Sequence, residues 1–188
     1  IEAVKARFDV PVSIDTYKGN VAEAALQAGA DLVNDIWGFK FDKKTALMTA
    51  KYNAACCLMH NKDEAVYNDF LEDMVSEMAE CVKIAREAGV ADDKIMLDPG
   101  VGFGKTYEMN LAAINHVDVL HRLGFPILLG TSRKSVIGNT LNLPADQRVE
   151  GTLATTVIGV MKNCAFVRVH DIKENKRIIQ MTKAILAH

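Results

Sequence analysis

The sequence predicts a parallel α/β fold, in the form of a TIM or (β/α)₈ barrel of which about six βα units are present. Six short, almost continuously apolar runs alternate with helical patterns along the 188 residues. Such runs are typical of strands buried on both faces of a parallel sheet, and the alternation is typical of βαβ units. Every run also ends in polar or charged residues. Those ends meet at one face of a barrel, whereas a doubly wound sheet gathers its ligand residues at one switch point.

The predicted elements follow from these runs and from helical spacing between them. The strands are expected within residues 10–15, 30–36, 54–60, 94–99, 126–132 and 164–170, and helices within 21–29, 68–89, 107–124 and 145–163. No linker or low-complexity segment interrupts the pattern, so we predict one domain over residues 1–188. A complete barrel typically takes about 250 residues. Six units in 188 residues are therefore expected to leave the barrel about two βα units short.

Composition limits the classes of function. The formal net charge is -2 and 49% of residues are hydrophobic, which is typical of a globular protein that needs neither nucleic acid nor a membrane as partner. No secretory signal is recognised at the start of the chain. The four cysteines, Cys56, Cys57, Cys81 and Cys164, lack metal-ligand spacing. We expect reduced thiols and a cytoplasmic location.

Three strand ends carry groups suited to a flat heterocycle. Asp15, Asn34 and Asp98 supply carboxylates and an amide, which can pair with ring N–H and amino groups. Each residue by itself is equally consistent with a helix cap or a turn. Their occurrence at the ends of three strands that share one face favours the binding interpretation.

Other strand ends carry groups suited to anions. Arg168 and His170 are one residue apart, so both can face the same side of the last strand. Ser135 begins a predicted helix whose N–H groups can hold a carboxylate or phosphate. In "LLGTSRKSVIG", Arg133 and Lys134 should point to opposite sides, with Lys134 facing the ligand and Arg133 making structural contacts.

The sequence motifs resemble those of the dihydropteroate synthase family. The matching segments occur in the family's order and cover nearly the whole chain: "PVSIDTYKGNVAEAALQAGADLVNDI", "LMH", "IMLDPGVGFGKTYEMNL", "PILLGTSRKSVIG" and "VRVHD". The stretch "DPGVGFGKT" lacks the spacing of a nucleotide-binding P-loop. One local difference follows "LMH", where the family would have a glycine-bearing turn and this chain has "NKDEAVYNDF".

The resemblance implies roles for individual residues. Asp15, Asn34 and Asp98 would bind the pterin in a slot shaped by Ile36, Met59, Phe103 and Gly130. Lys134 would lie between the pterin and p-aminobenzoate, and Ser135 would meet the p-aminobenzoate carboxylate. Arg168 would lie against the pterin and, with His170, hold pyrophosphate. The implied catalytic residues are Lys134, Arg168, His170 and Asp15.

The resemblance also implies a reaction, partners and a cofactor. The family joins 6-hydroxymethyl-7,8-dihydropterin pyrophosphate to p-aminobenzoate and is blocked by sulfonamides. A homodimer through the last helices and Mg²⁺ as cofactor are expected. The resemblance implies that the first two βα units are missing, so that the barrel is incomplete at its N-terminal side. The loop expected to hold the metal belongs to those units, so no metal ligand is assigned in this chain. The isolated chain is expected to have little or no activity. The alternatives are a methyltetrahydrofolate-dependent methyltransferase, which does not need "SRKS" or the pyrophosphate pair, and a non-catalytic pterin-binding fragment.

Overall fold

A computed structural model describes the whole chain, residues Ile1–His188, as two compact units. The first comprises Ile1–Asn61 and Met74–Asp98, and the second comprises Lys62–Asp73 and Pro99–His188. Each unit contains parallel strands joined by helices, which confirms the predicted α/β class. The expectation of one domain over residues 1–188 stays a prediction.

The first unit is built on a four-stranded parallel sheet. Its strands, in sheet order, are β1 (Ser13–Asp15), β2 (Leu32–Asp35), β3 (Ala55–Met59) and β4 (Ile95–Asp98). Its helices are α1 (Glu2–Lys5), α2 (Gly19–Gln27), α3 (Lys43–Lys51), most of α4 (Phe70–Glu87) and a 3₁₀ turn (Asp92–Lys94). All four strands lie inside runs that the sequence predicted.

The core of the first unit lies against β3. Cys56, Cys57 and Leu58 are fully buried, and so are Met74 and Met78 of α4. The two methionines are four residues apart and therefore share one face of the helix. The amphipathic pattern over residues 68–89 thus correctly predicted α4. All four cysteines are free thiols, three of them buried.

The second unit contains a two-stranded parallel sheet, β5 (Leu128–Leu129) and β6 (Phe166–Val167). Its helices are α5 (Tyr107–Asn115), α6 (Ser135–Leu141), α7 (Val149–Met161) and α8 (Ile172–Leu186), with 3₁₀ turns at Val117–Leu123 and Ala145–Gln147. Helices were expected within 107–124 and 145–163, and α5 and α7 lie there, each accompanied by a 3₁₀ turn. The backbone leaves α-helical geometry at His116 and at Arg148.

The prediction that every strand is buried on both faces was wrong for the two outer strands. Ser13 and Asp15 of β1 are exposed, as is Phe166 of β6. Both strands are paired on one side only, and their residues alternate between exposed and half-buried. Neither sheet closes into a ring. No helix in the chain has both the length and the apolar character needed to cross a membrane.

Candidate active site

The carboxyl ends of β1 and β2 bring Asp15 and Asn34 together. The two residues are opposite each other in the parallel register. The Asn34 side-chain amide donates to Oδ1 of Asp15 at 2.8 Å, and the Thr16 N–H donates to the Asn34 carbonyl at 3.0 Å. Asn34 is buried whereas Asp15 is exposed. This pair presents adjacent carboxylate and amide groups at the end of the sheet.

The ends of β3 and β4 place Asp98 beside Met59. These two residues are partners in the register, and the backbone N–H of His60 donates to the Asp98 carbonyl at 3.0 Å. Both side chains are buried, with Asp98 6% exposed. The fully buried His60 ring lies with Nε2 3.0 Å from a carboxylate oxygen of Glu77 on α4. Ile36, the remaining predicted residue of this unit, is half-buried in the turn after β2.

Asp35 is a buried carboxyl group to which the sequence assigned no role of its own. Its Oδ1 accepts from the Trp37 N–H at 2.8 Å, and its Oδ2 is buried without a hydrogen-bond partner. Burial raises the pKa of Asp35 to about 6. The turn that it holds has left-handed backbone at both Gly38 and Phe39. A sequence signal existed in "NDIWGF", since Asp two residues before a turn N–H is a common turn-forming arrangement.

In the second unit, residues 99–106 form a loop, here called the glycine loop. Gly100, Gly102 and Gly104 have φ values of 68°, 89° and 53°, which a residue with a Cβ rarely adopts. Asn110, buried at the start of α5, accepts from the Gly102 N–H and donates to the Thr106 carbonyl at 2.7 Å. Hydrogen bonds between the Asn110 side chain and the loop backbone therefore hold the loop in one shape. The loop carries the predicted site residue Phe103.

Lys134 lies across the glycine loop. Its ammonium donates to the Val101 carbonyl at 2.5 Å and lies 5.0 Å from the centre of the Phe103 ring. Arg133 has a left-handed φ of 59° and turns to Asp171, to which it donates two hydrogen bonds at 2.6 and 3.2 Å. These bonds hold the pKa of Asp171 below its usual value. The prediction that Arg133 makes structural contacts is confirmed.

A small cavity brings together several predicted anion-binding residues of the second unit. It has a volume of about 80 Å³ and is lined by Gly130, Ser132, Lys134, Arg168, Val169 and His170. Arg168 and His170 thus reach the same space, as their spacing predicted. The Ser132 hydroxyl oxygen accepts from the backbone N–H of His170 at 3.1 Å. The same hydroxyl is hydrogen-bonded to Nδ1 of the His170 ring at 2.9 Å. Ser132 belongs to the motif "LLGTSRKSVIG", but the sequence analysis predicted no role for it. Ser135 is exposed and begins α6.

The side chains present do not form a magnesium site. No group of three or more His, Cys, Asp or Glu residues in the chain is placed to hold a metal ion. Three carboxyl groups, those of Asp15, Asp35 and Asp98, end strands of the first unit, and the cavity of the second unit is lined by Lys134 and Arg168. A cationic cavity attracts anions and repels a divalent cation. The expected Mg²⁺ cofactor stays a prediction.

The residues at these strand ends define a class of protein. A family described as pterin binding enzyme matches residues 1–170, so the chain belongs to this family. The chain is 60% identical to dihydropteroate synthase of Clostridium beijerinckii, over 99% of this chain and 70% of that protein. It is 50% identical to dihydropteroate synthase of Bacillus subtilis, over 99% of this chain and 65% of that protein. The predicted assignment to the dihydropteroate synthases, a class of transferases, is confirmed.

Solved structures agree with the relatives. A crystal structure of dihydropteroate synthase from Clostridium difficile in the presence of pteroic acid matches with a TM-score of 0.96 and 47% identity, covering 98% of this chain and 70% of that one. The enzyme from Yersinia pestis in complex with a sulfonamide drug matches with a TM-score of 0.94 and 36% identity, covering 99% and 70%. The predicted fold is thereby confirmed for the six βα units, within a chain that spans about two thirds of its relatives' length.

Proposed function

We propose that this chain carries the substrate sites of an enzyme that joins a pterin pyrophosphate to p-aminobenzoate and releases pyrophosphate, and that the isolated 188-residue chain has little or no turnover of its own. In this reaction the bond between the pterin methylene carbon and the pyrophosphate oxygen breaks, and the oxygen keeps the electron pair. The amine nitrogen of p-aminobenzoate forms the new bond to that carbon and loses a proton. The site must therefore bind a heterocycle, stabilise an anionic leaving group and exclude water from the carbon.

The observation that carries the proposal is the cationic cavity of the second unit. Lys134, Arg168 and His170 all line it. A lysine, an arginine and an imidazole that share one cavity favour a multiply charged anion such as pyrophosphate. A methyl transferase acting on a folate would release no such anion. The cavity therefore favours the synthase over the methyltransferase alternative.

The residues of the first unit supply the proposed pterin contacts. Asp15, Asn34 and Asp98 are at strand ends, and the Asn34 amide is oriented by its bond to Asp15. Ile36, Met59, Phe103 and Gly130 are proposed to shape the slot. Ser135 is proposed to meet the carboxylate of p-aminobenzoate, because its position at the first turn of α6 offers both a hydroxyl and backbone N–H groups. Sulfonamides, as p-aminobenzoate mimics, are proposed inhibitors.

The test has a binding arm and a turnover arm. Calorimetry should show that pteroic acid and pyrophosphate each bind the 188-residue chain. Turnover of the pterin pyrophosphate with p-aminobenzoate should then be measured for this chain, and for the same chain joined to the preceding segment of the Clostridium beijerinckii relative. Absence of pteroic acid binding to either protein contradicts the proposal. Binding by both without turnover by either supports the non-catalytic alternative.

A further inference from the structure

We propose that Tyr67 is a positioning residue for the cationic cavity, because it fixes the glycine loop on which Lys134 rests. Tyr67 lies in residues 62–70, here called the bracing segment, which contains most of the stretch where the sequence departs from the family's pattern. The inference rests on the proposed function, since it explains how part of that site is held. It adds a residue that does not itself line the cavity.

The Tyr67 hydroxyl holds the glycine loop directly. It donates to the carbonyl of Gly104 at 2.7 Å. The ring is itself held in place, because the Lys62 ammonium lies 4.3 Å from its centre and the Phe70 ring packs edge-on at 5.1 Å. Lys62 is in turn fixed by a 3.1 Å bond to the Val66 carbonyl. A tyrosine held on both sides can act as a rigid support rather than as a mobile surface group.

The backbones of the loop and the bracing segment also meet at Gly104. A Cβ atom built at this glycine would overlap the backbone of Lys62, and its φ of 53° already disfavours other residues. Close approach of two backbones requires glycine here. The hydrogen bond from Tyr67 therefore holds the Gly104 carbonyl where the loop backbone is already packed against the bracing segment and cannot move closer to it.

Movement of the loop at Gly104 would be passed to Lys134 over a short path. Phe103, the preceding residue, has its ring 5.0 Å from the Lys134 ammonium, and its N–H donates to the Gly100 carbonyl at 3.1 Å. Val101, which follows Gly100 in the same turn, accepts the hydrogen bond from Lys134 through its carbonyl. A Cβ atom built at Gly102 would lie 3.5 Å from the Lys134 side chain, so this part of the loop faces that side chain. Loop geometry therefore sets where the ammonium lies in the cavity.

The bonds within the loop predict a graded effect rather than unfolding. Lys105 donates to the carbonyls of Gly100 and Phe103 at 3.0 Å each, and Asn110 holds Gly102. These contacts stay when only the Tyr67 hydroxyl is removed. Loss of one hydrogen bond of this kind costs about 0.5–1.5 kcal/mol, which corresponds to a change of roughly two- to tenfold in an equilibrium.

The experiment compares Tyr67→Phe with Tyr52→Phe. The Tyr52 hydroxyl also makes one hydrogen bond, accepting from the Gln27 amide at 2.9 Å, but it lies in the first unit. Each variant is exposed to a low concentration of a lysine-acylating anhydride, and the rate at each lysine is read by mass spectrometry. Tyr67→Phe should change the rate at Lys134 by roughly twofold or more. The rate at Lys83, which is 75% exposed, should not change.

A second variant and a ligand measurement complete the test. Gly104→Ala, which must push the loop away from Lys62, should change the Lys134 rate in the same direction as Tyr67→Phe. Pyrophosphate affinity should fall roughly twofold or more in Tyr67→Phe and remain unchanged in Tyr52→Phe. An unchanged Lys134 rate in both loop variants overturns the inference. If the parent chain binds no pyrophosphate, the proposed function fails, while the acylation rates still decide whether Tyr67 positions Lys134.

Discussion

The side-chain amide of Asn34 donates a 2.8 Å hydrogen bond to the carboxylate of Asp15 across the ends of β1 and β2. Because the donor is an NH₂ group, this bond fixes which edge of the amide carries its carbonyl oxygen. The oriented amide and the exposed carboxylate are the groups proposed to contact the pterin. Rotation of the amide would expose the wrong groups to a pterin.

Removal of the Asn34 side chain should weaken pterin binding. Leaving ligand polar groups unpaired costs roughly 1–3 kcal/mol each, so Asn34→Ala should raise the Kd for pteroic acid about tenfold or more. Asp98→Ala should act in the same direction. The matched control is Asn20→Ala, which removes an exposed amide that contacts Lys44. Calorimetry on folded variants checks this, and equal affinities for Asn34→Ala and Asn20→Ala would contradict the assignment.

The neighbours Arg133 and Lys134 should respond differently to substitution. Lys134→Ala should lower pyrophosphate affinity about tenfold or more, since it removes a cation from the cavity. Arg133→Ala should have a much smaller effect on affinity but should lower the melting temperature, because it breaks the two bonds to Asp171. Calorimetry and thermal unfolding, applied to both variants, separate the two roles. The reverse ranking in affinity would show that the faces are misassigned.

Asp35 should make stability depend on pH. Its folded pKa of about 6 is above its ordinary value of 3.8, so the folded chain binds more protons between these values than the unfolded chain. Ionisation of Asp35 therefore costs stability. The cost is absent below about pH 4, grows as the pH rises through 6, and reaches about 3 kcal/mol above that range.

Substitution of Asp35 tests this pH dependence. Asp35→Asn removes the titrating group while keeping an oxygen that can accept from the Trp37 N–H. The difference in free energy of unfolding, variant minus parent, should increase between pH 4.5 and 7.5, because only the parent is destabilised by ionisation of Asp35. Denaturant unfolding at several pH values measures this difference. The control is Asp63→Asn, at an exposed position. Parallel pH curves for the parent and Asp35→Asn would contradict the expectation.

Residues 150–161, which form most of α7, should mediate a homodimer. This segment is rich in apolar residues, and Met161 at its end is 59% exposed. Light scattering at high micromolar concentration should give twice the chain mass. Met161→Lys should shift the protein toward monomer because it places a charge in the contact. Leu47→Lys, at a 52% exposed position on α3, is the control and should leave the mass unchanged. A monomeric parent would exclude the dimer.

The sequence determined the class of fold and the residue types of the site. Apolar runs of strand length, each ending in a polar group, predicted six parallel strands and placed Asp15, Asn34 and Asp98 at strand ends. Periodicity identified α4 because Met74 and Met78 repeat at helical spacing. These features are local, and local spacing along the chain is enough to reveal them.

The tertiary structure decided the features that depend on contacts between distant residues. Strand pairing divided the six strands into a four-stranded sheet and a two-stranded sheet, which the apolar runs did not show. The partners of Asp171 and Tyr67 are 38 and 37 residues away in the chain, so their roles followed only from the fold. The burial of Asp35, which raises its pKa, likewise depends on packing around it. Burial and hydrogen bonding across such separations are properties of the folded chain, because sequence spacing does not specify which distant groups meet.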